Sequence, residues 1–130
     1  MHLEIEDKGT HMACTIPEGF AVSDLEVLMT LVIDGCVQTG HRRVLIDFSV
    51  MNEPWPATSK LLGAFVADEH MSRYQDRYGK TIKLAILGKP PFISTYRPTR
   101  DYLKQAGKNA ETFTCLKEAL KWLFANELAG

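Results

Sequence analysis

The chain has 130 residues, 45% of them hydrophobic and 24% charged, which is the balance of a globular domain and excludes disordered, collagenous and coiled-coil readings. Fifteen Lys and Arg against sixteen Asp and Glu leave a formal net charge of -1, too little field to favour nucleic acid or an anionic membrane. A single domain over residues 1–130 is long enough to bury roughly two-thirds of the surface its unfolded form exposes, so it is expected to fold alone.

Leu3 and Ile5 alternate with His2, Glu4 and Glu6; Asp7-Lys8-Gly9 supplies turn chemistry; Met12, Cys14 and Ile16 resume the alternation. This pattern predicts a hairpin. Ser23 followed by Glu26 has the form of a capping box, and Leu25, Leu28, Met29, Val32 and Cys36 then recur at helical spacing up to a stop at Gly40. Gly35 inside that helix is expected to weaken it by ~1 kcal/mol relative to Ala. Arg43 to Phe48 is a short apolar, β-branched run of the kind buried on both faces of a sheet. After a loop from Ser49 to Trp55, Pro56 fits a helix's first turn, and Leu61, Leu62, Phe65 and Val66 are expected to form the helix's apolar side. Beyond Asp68 only Met71, Tyr74 and Tyr78 continue the stripe, on a half expected to be partly exposed, before Gly79 ends it.

Thr81 to Leu87 repeats the buried-strand pattern, and Gly88-Lys89-Pro90-Pro91 breaks it. A third helix is expected from near Thr95, with Pro98 in its first turn, to Gly107. Glu111 to Cys115 reads as a strand, and Leu116, Ala119, Leu120, Leu123 and Phe124 as the apolar positions of a last helix, with Leu116, Leu120 and Leu123 turned to the sheet. The order ββαβαβαβα predicts an α/β fold with a mixed, mostly parallel five-stranded sheet flanked by helices, the opening strand being the antiparallel exception. Runs such as Leu31-Val32-Ile33 are too short to span a bilayer, and Met1-His2-Leu3-Glu4 lacks the pattern of a secretory leader. Cys14, Cys36 and Cys115 form an odd set without CxxC spacing, so the expectation is a reducing, cytoplasmic protein.

The order of these elements, together with His41-Arg42-Arg43-Val44-Leu45-Ile46-Asp47-Phe48, Lys83-Leu84-Ala85-Ile86-Leu87 and a last helix carrying Glu118-Ala119 and Trp122-Leu123, resembles the SpoIIAA-like family of STAS-like proteins over nearly the whole chain. The resemblance implies a non-catalytic module related to antagonists of anti-sigma factors and, more distantly, to CRAL-TRIO lipid-binding domains. In the antagonists an Asp-Ser-Ser/Thr-Gly motif at the start of the second helix is switched by serine phosphorylation. Here the nearest stretch is Ala57-Thr58-Ser59-Lys60, in which Ala57 replaces the Asp and Lys60 the Gly. Thr58 and Ser59 retain hydroxyls able to carry a phosphate, and helix capping is the more ordinary use of both.

No G-x-S-x-G or phosphate-binding loop is present, so neither an enzyme nor a cofactor is expected. Asp68, Glu69 and His70 point in different directions around a helix and predict no metal site. Arg97, Arg100 and Lys104 could hold an anion, against the commoner reading of a solvated edge balanced by Asp101 and Glu111. Trp55 and Pro56, with Pro91 and Phe92, leave the carboxyl ends of neighbouring strands and either frame an apolar pocket or fold an aromatic inward to cap the core. Met71, Tyr74 and Tyr78 offer a self-contact stripe. Two functions follow as expectations: a protein-interaction or signalling module binding a partner or its own copy through the second helix, and a small apolar ligand or lipid-binding domain. A closed core with an exposed apolar stripe favours the first, and an empty apolar cavity beside Trp55 the second.

Overall fold

Alternation and helical periodicity resolve, in a computed structural model that describes residues 3–125, into β1 (Glu4–Asp7), β2 (Met12–Thr15), α1 (Leu25–Thr39), β3 (Arg43–Asp47), α2 (Ala57–Tyr78), β4 (Lys83–Leu87), α3 (Arg97–Gln105), β5 (Asn109–Phe113) and α4 (Leu116–Leu123). Short 3-10 turns at Val22–Asp24 and Ser94–Tyr96 lead into α1 and α3. The strands lie side by side in chain order, β1 antiparallel to β2 and every later pair parallel. The α/β class, the element order and the mixed sheet agree with the sequence pattern. The 43–48 and 82–87 segments are parallel neighbours inside the sheet, with Val44 opposite Leu84 and Ile46 opposite Ile86. The last strand begins two residues earlier than expected, at Asn109, because Asn109 and Ala110 pair with Lys83 and Leu84 while Thr114 and Cys115 turn away towards α4. No helix among the described residues is long and apolar enough to cross a membrane.

Strand alternation divides the core. Val44, Ile46, Leu84 and Ile86 face one way, together with Met12 and Cys14, and are covered by α1, α2 and α3. Leu45, Ala85 and Leu87 face the other way and are covered by α4. Gly40 and Gly79 end α1 and α2 at φ 82 and 67, a left-handed conformation that side chains disfavour, and each donates its N–H to the carbonyl four residues back. The carboxyl end of α4 is held by the strands beneath it: Lys83 Nζ donates to the Trp122 carbonyl at 2.6 Å, and Arg43 Nε to that of Leu123 at 3.1 Å. Two cations on the negative end of a short helix fix its direction, with its amino end at the carboxyl edge of the sheet.

Three local expectations need correction. Ser23 does not cap α1: it lies within the 3-10 turn, and Asp24 Oδ2 instead accepts the Ala21 amide at 2.9 Å. Glu26, freed from the expected box, accepts from His70 Nε2 at 2.9 Å and ties α1 to α2. The second correction concerns α2, which is rolled relative to the expected face. Gly63, Ala64, Ala67, His70, Met71 and Tyr74 are buried, whereas Leu61, Leu62 and Phe65 are 50%, 50% and 48% exposed. Positions 63, 67, 70 and 74 step by three or four and so share one side. Small residues on that side permit close approach: a Cβ on Gly63 would come within 3.0 Å of Leu25 Cδ1. In α4, Ala119 and Leu123 are buried, Leu120 is half-buried and Leu116 is 50% exposed, so the sheet-facing side is centred on Ala119 and Leu123 instead of running through Leu116.

Candidate functional site

The roll of α2 turns its first half outward as an apolar surface. Phe65 packs edge-on against Tyr102 of α3 at 5.1 Å between ring centres, so the surface extends across both helices. Beside it Ala57, Leu61, Ala64, Pro98 and Thr99 line a shallow groove of about 120 Å³, and the Thr99 hydroxyl donates to the Lys60 carbonyl at 3.1 Å. Three large apolar side chains half-exposed on adjacent turns of one helix exceed the scattered apolar exposure of an ordinary surface.

The second half of α2 behaves in the opposite way to the sequence expectation. Met71 and Tyr74 are 2% and 5% exposed and belong to the core, so Met71-Tyr74-Tyr78 is not a self-contact stripe. Tyr78 alone of the three is exposed; it lies 5.0 Å from the Tyr74 ring, and with Ile33, Val37 and Arg77 it borders a groove of about 220 Å³ between α1 and α2. Burial raises the Tyr74 phenol above its ordinary pKa, which removes it from acid–base use near neutrality.

The loops after β3 and β4 meet over the carboxyl edge. Trp55 stacks near Phe20 at 6.3 Å and meets Phe92 edge-on at 5.5 Å, while Phe48 stacks on Phe92 at 5.3 Å and Tyr96 on Phe92 at 5.4 Å. Phe48, Phe92 and Tyr96 are buried, Trp55 is half-buried, and Pro56 and Pro91 stay outside. The Pro-flanked loops therefore fold their aromatics inward as a plug. The rings take up the space that an apolar pocket beside Trp55 would need, and the void beneath them, between Leu25, Phe48, Ala67 and Tyr96, measures about 20 Å³.

Thr58 and Ser59 stand in the first turn of α2, Thr58 exposed and Ser59 half-buried. Neither caps the helix. Pro56 occupies the cap position with extended ψ 155 and no side-chain bond closes the end, so the capping role expected of the hydroxyls is corrected by the start of the helix one residue after Pro56. Asp68, Glu69 and His70 diverge as expected: Asp68 lies 2.7 Å from Lys108 Nζ, Glu69 pairs with Arg73, and His70 meets Glu26. Among the described residues no group of His, Cys, Asp and Glu could hold a metal ion.

Arg100 and Lys104 converge on Glu111, at 3.0 and 2.7 Å, and Arg100 also binds Asp101 at 2.9 Å. Burial raises the Glu111 pKa, but the Lys104 ammonium, the Thr112 amide and the Arg100 guanidinium outweigh it and hold the carboxyl below its ordinary range. This is the balanced edge that the sequence allowed. Arg97 differs: it is exposed, makes no ion pair among the described residues, and faces a cleft of about 550 Å³ between the start of α3 and the turn from β5 into α4. Residues from Thr112 to Cys115 form the opposite wall. The Thr112–Cys115 wall carries no local motif; only its place at the carboxyl end of the last strand could have drawn attention.

No protein-family model matches the chain, and no curated protein sequence matches it.

Proposed function

We propose that the chain is a non-catalytic module of the SpoIIAA-like, STAS-like kind that docks a protein partner, another protein or its own copy, on the outward face of α2, in a cytoplasmic setting. The observation that carries this reading is the half-exposure of Leu61, Leu62 and Phe65 on a helix whose opposite side is packed through Gly63, Ala64 and Ala67. A solvated helix would carry charge at those positions; an apolar surface on a rigid helix is the form of a helix-to-groove or helix-to-helix contact. The aromatic plug over the carboxyl edge gives further support, since it leaves the interaction reading ahead of an apolar ligand or lipid held beside Trp55. Buried free thiols at Cys14 and Cys36 accord with a reducing compartment.

A photo-crosslinking residue at position 62 tests the proposal in the native host. One discrete adduct is expected from position 62, of twice the monomer mass for self-association or of another mass for a different protein, and none from the exposed control Lys117 on α4. Equal labelling from both positions, or no adduct from position 62, defeats the reading.

A further inference from the structure

We propose that the cleft between the start of α3 and the β5–α4 turn is a binding site for a small phosphate-bearing ligand, with Arg97 as its principal cation. The position follows from topology. The chain leaving β4 turns into α3 on one face of the sheet, and the chain leaving the neighbouring strand β5 turns into α4 on the opposite face. Adjacent parallel strands whose following helices diverge leave a crevice at their carboxyl ends, the place where open α/β sheets bind ligands.

The crevice measures about 550 Å³, within the roughly 300–1,000 Å³ typical of small-molecule sites. Its lining is polar on both sides, with Ser94 and Arg97 on one and Thr112 and Thr114 on the other, and Ile93 and Phe113 are its apolar members. Arg100 also lines it, but the charge of Arg100 is already engaged by Asp101 and Glu111. That leaves Arg97 as the cation lining the space that no carboxylate among the described residues engages, its guanidinium a planar fork suited to a phosphate. The amino end of α4 borders the same space without a side-chain cap and adds partial positive charge. Glu118 is the opposing group, a carboxylate on the same wall as Thr114.

Cys115 reports on the site. It is exposed at the cleft wall, while Cys14 and Cys36 are buried with thiols pushed up to about 12, so alkylation under mild conditions marks Cys115 alone. Alkylation of the full chain by iodoacetamide is followed by intact mass at constant ionic strength, with inorganic phosphate replacing chloride. Phosphate is expected to slow modification with saturation. Arg97→Gln should raise the half-protecting concentration by about tenfold or more, the fold-change of losing one charged hydrogen bond. Glu118→Gln should lower it, and Lys121→Gln, the same charge change as Arg97→Gln at the far end of α4, should leave it unchanged. Absence of protection up to about 10 mM phosphate, beyond the weak end of the useful affinity scale, overturns the proposal. So does an equal effect of Arg97→Gln and Lys121→Gln, which would reduce the protection to bulk charge.

Discussion

Exchanging side-chain size across α2 tests the roll on which the docking surface depends. Ala67 is 8% exposed and faces Leu25, Met29, Ile46 and Leu84 across a void of about 20 Å³. A void of that size has room for about one water molecule, so the three carbons added by Ala67→Leu cannot fit without displacing neighbours. Overpacking of this kind costs ~1–3 kcal/mol. Leu61→Ala runs the other way. Full burial of Leu stabilises by ~1.5–3 kcal/mol, a side chain that is half-exposed realises about half of that at most, and the better helix propensity of Ala returns a few tenths, so the loss should stay below about 1.5 kcal/mol. Urea denaturation of both variants, compared at constant slope, measures the two values. If Leu61→Ala costs ~2 kcal/mol or more while Ala67→Leu is neutral, the helix is turned the other way and the exposed surface does not exist.

The same logic on the opposite face of the sheet predicts that Leu123→Ala, at a position with 0% exposure, destabilises by ~2–5 kcal/mol, whereas Leu116→Ala, at 50% exposure, costs less than about 1.5 kcal/mol in the same denaturation assay. Equal losses would restore the sheet-facing role that the sequence suggested for Leu116. His11 supplies a pH dependence. Burial first, then the Lys8 and His41 charges, hold its imidazole below the ordinary 6.5, so between that value and the folded one the unfolded chain binds the proton and the folded chain does not. Stability from this group is therefore complete above pH 6.5 and falls as the solution is acidified below it. The difference in unfolding free energy between the wild type and His11→Gln should narrow from pH 8 to pH 5.5, and a pH-independent difference would refute the assignment.

What could be read directly from the chain was the succession of strands and helices and the mixed, mostly parallel character of the sheet. Period-two and continuous apolar runs, turn chemistry at Gly40, Gly79 and Gly107, and Pro98 inside a first turn all act locally, and each element appeared within about two residues of where those signals put it, β5 being shifted to Asn109. The faces were less legible because hydrophobicity was taken as the mark of burial. In α2 the buried side is selected by size: Gly63, Ala64 and Ala67 allow α2 to approach Leu25, and the large Leu61, Leu62 and Phe65 are thereby turned outward. A pattern of small residues at helical spacing was present in the sequence and is the signal that could have reversed the assignment. The entrance of α1 failed for a different reason. Ser23 and Asp24 compete for the same cap, and the 3-10 turn that decides between them depends on Phe20 and Val22 packing into the core, a tertiary event. The 550 Å³ cleft is less legible still, because it is made by the divergence of two chain segments and not by any one of them.

The two proposed surfaces are also in keeping with what the rest of the sheet withholds. An open parallel sheet has two edges that could recruit a strand from a partner. At one edge β1 carries Glu4, Glu6 and Asp7, with Lys8 paired to Glu6 at 3.0 Å. At the other, Glu111 turns back to accept the Thr112 amide at 3.0 Å while Arg100 and Lys104 close over it. The Thr112 amide is thereby already engaged by a charged side chain, and a strand added there would have to displace it. Strand addition is thus disfavoured at both edges by the residues that occupy them. The proposed docking surface is accordingly a helix face, and the proposed ligand site the crevice where α3 and α4 part.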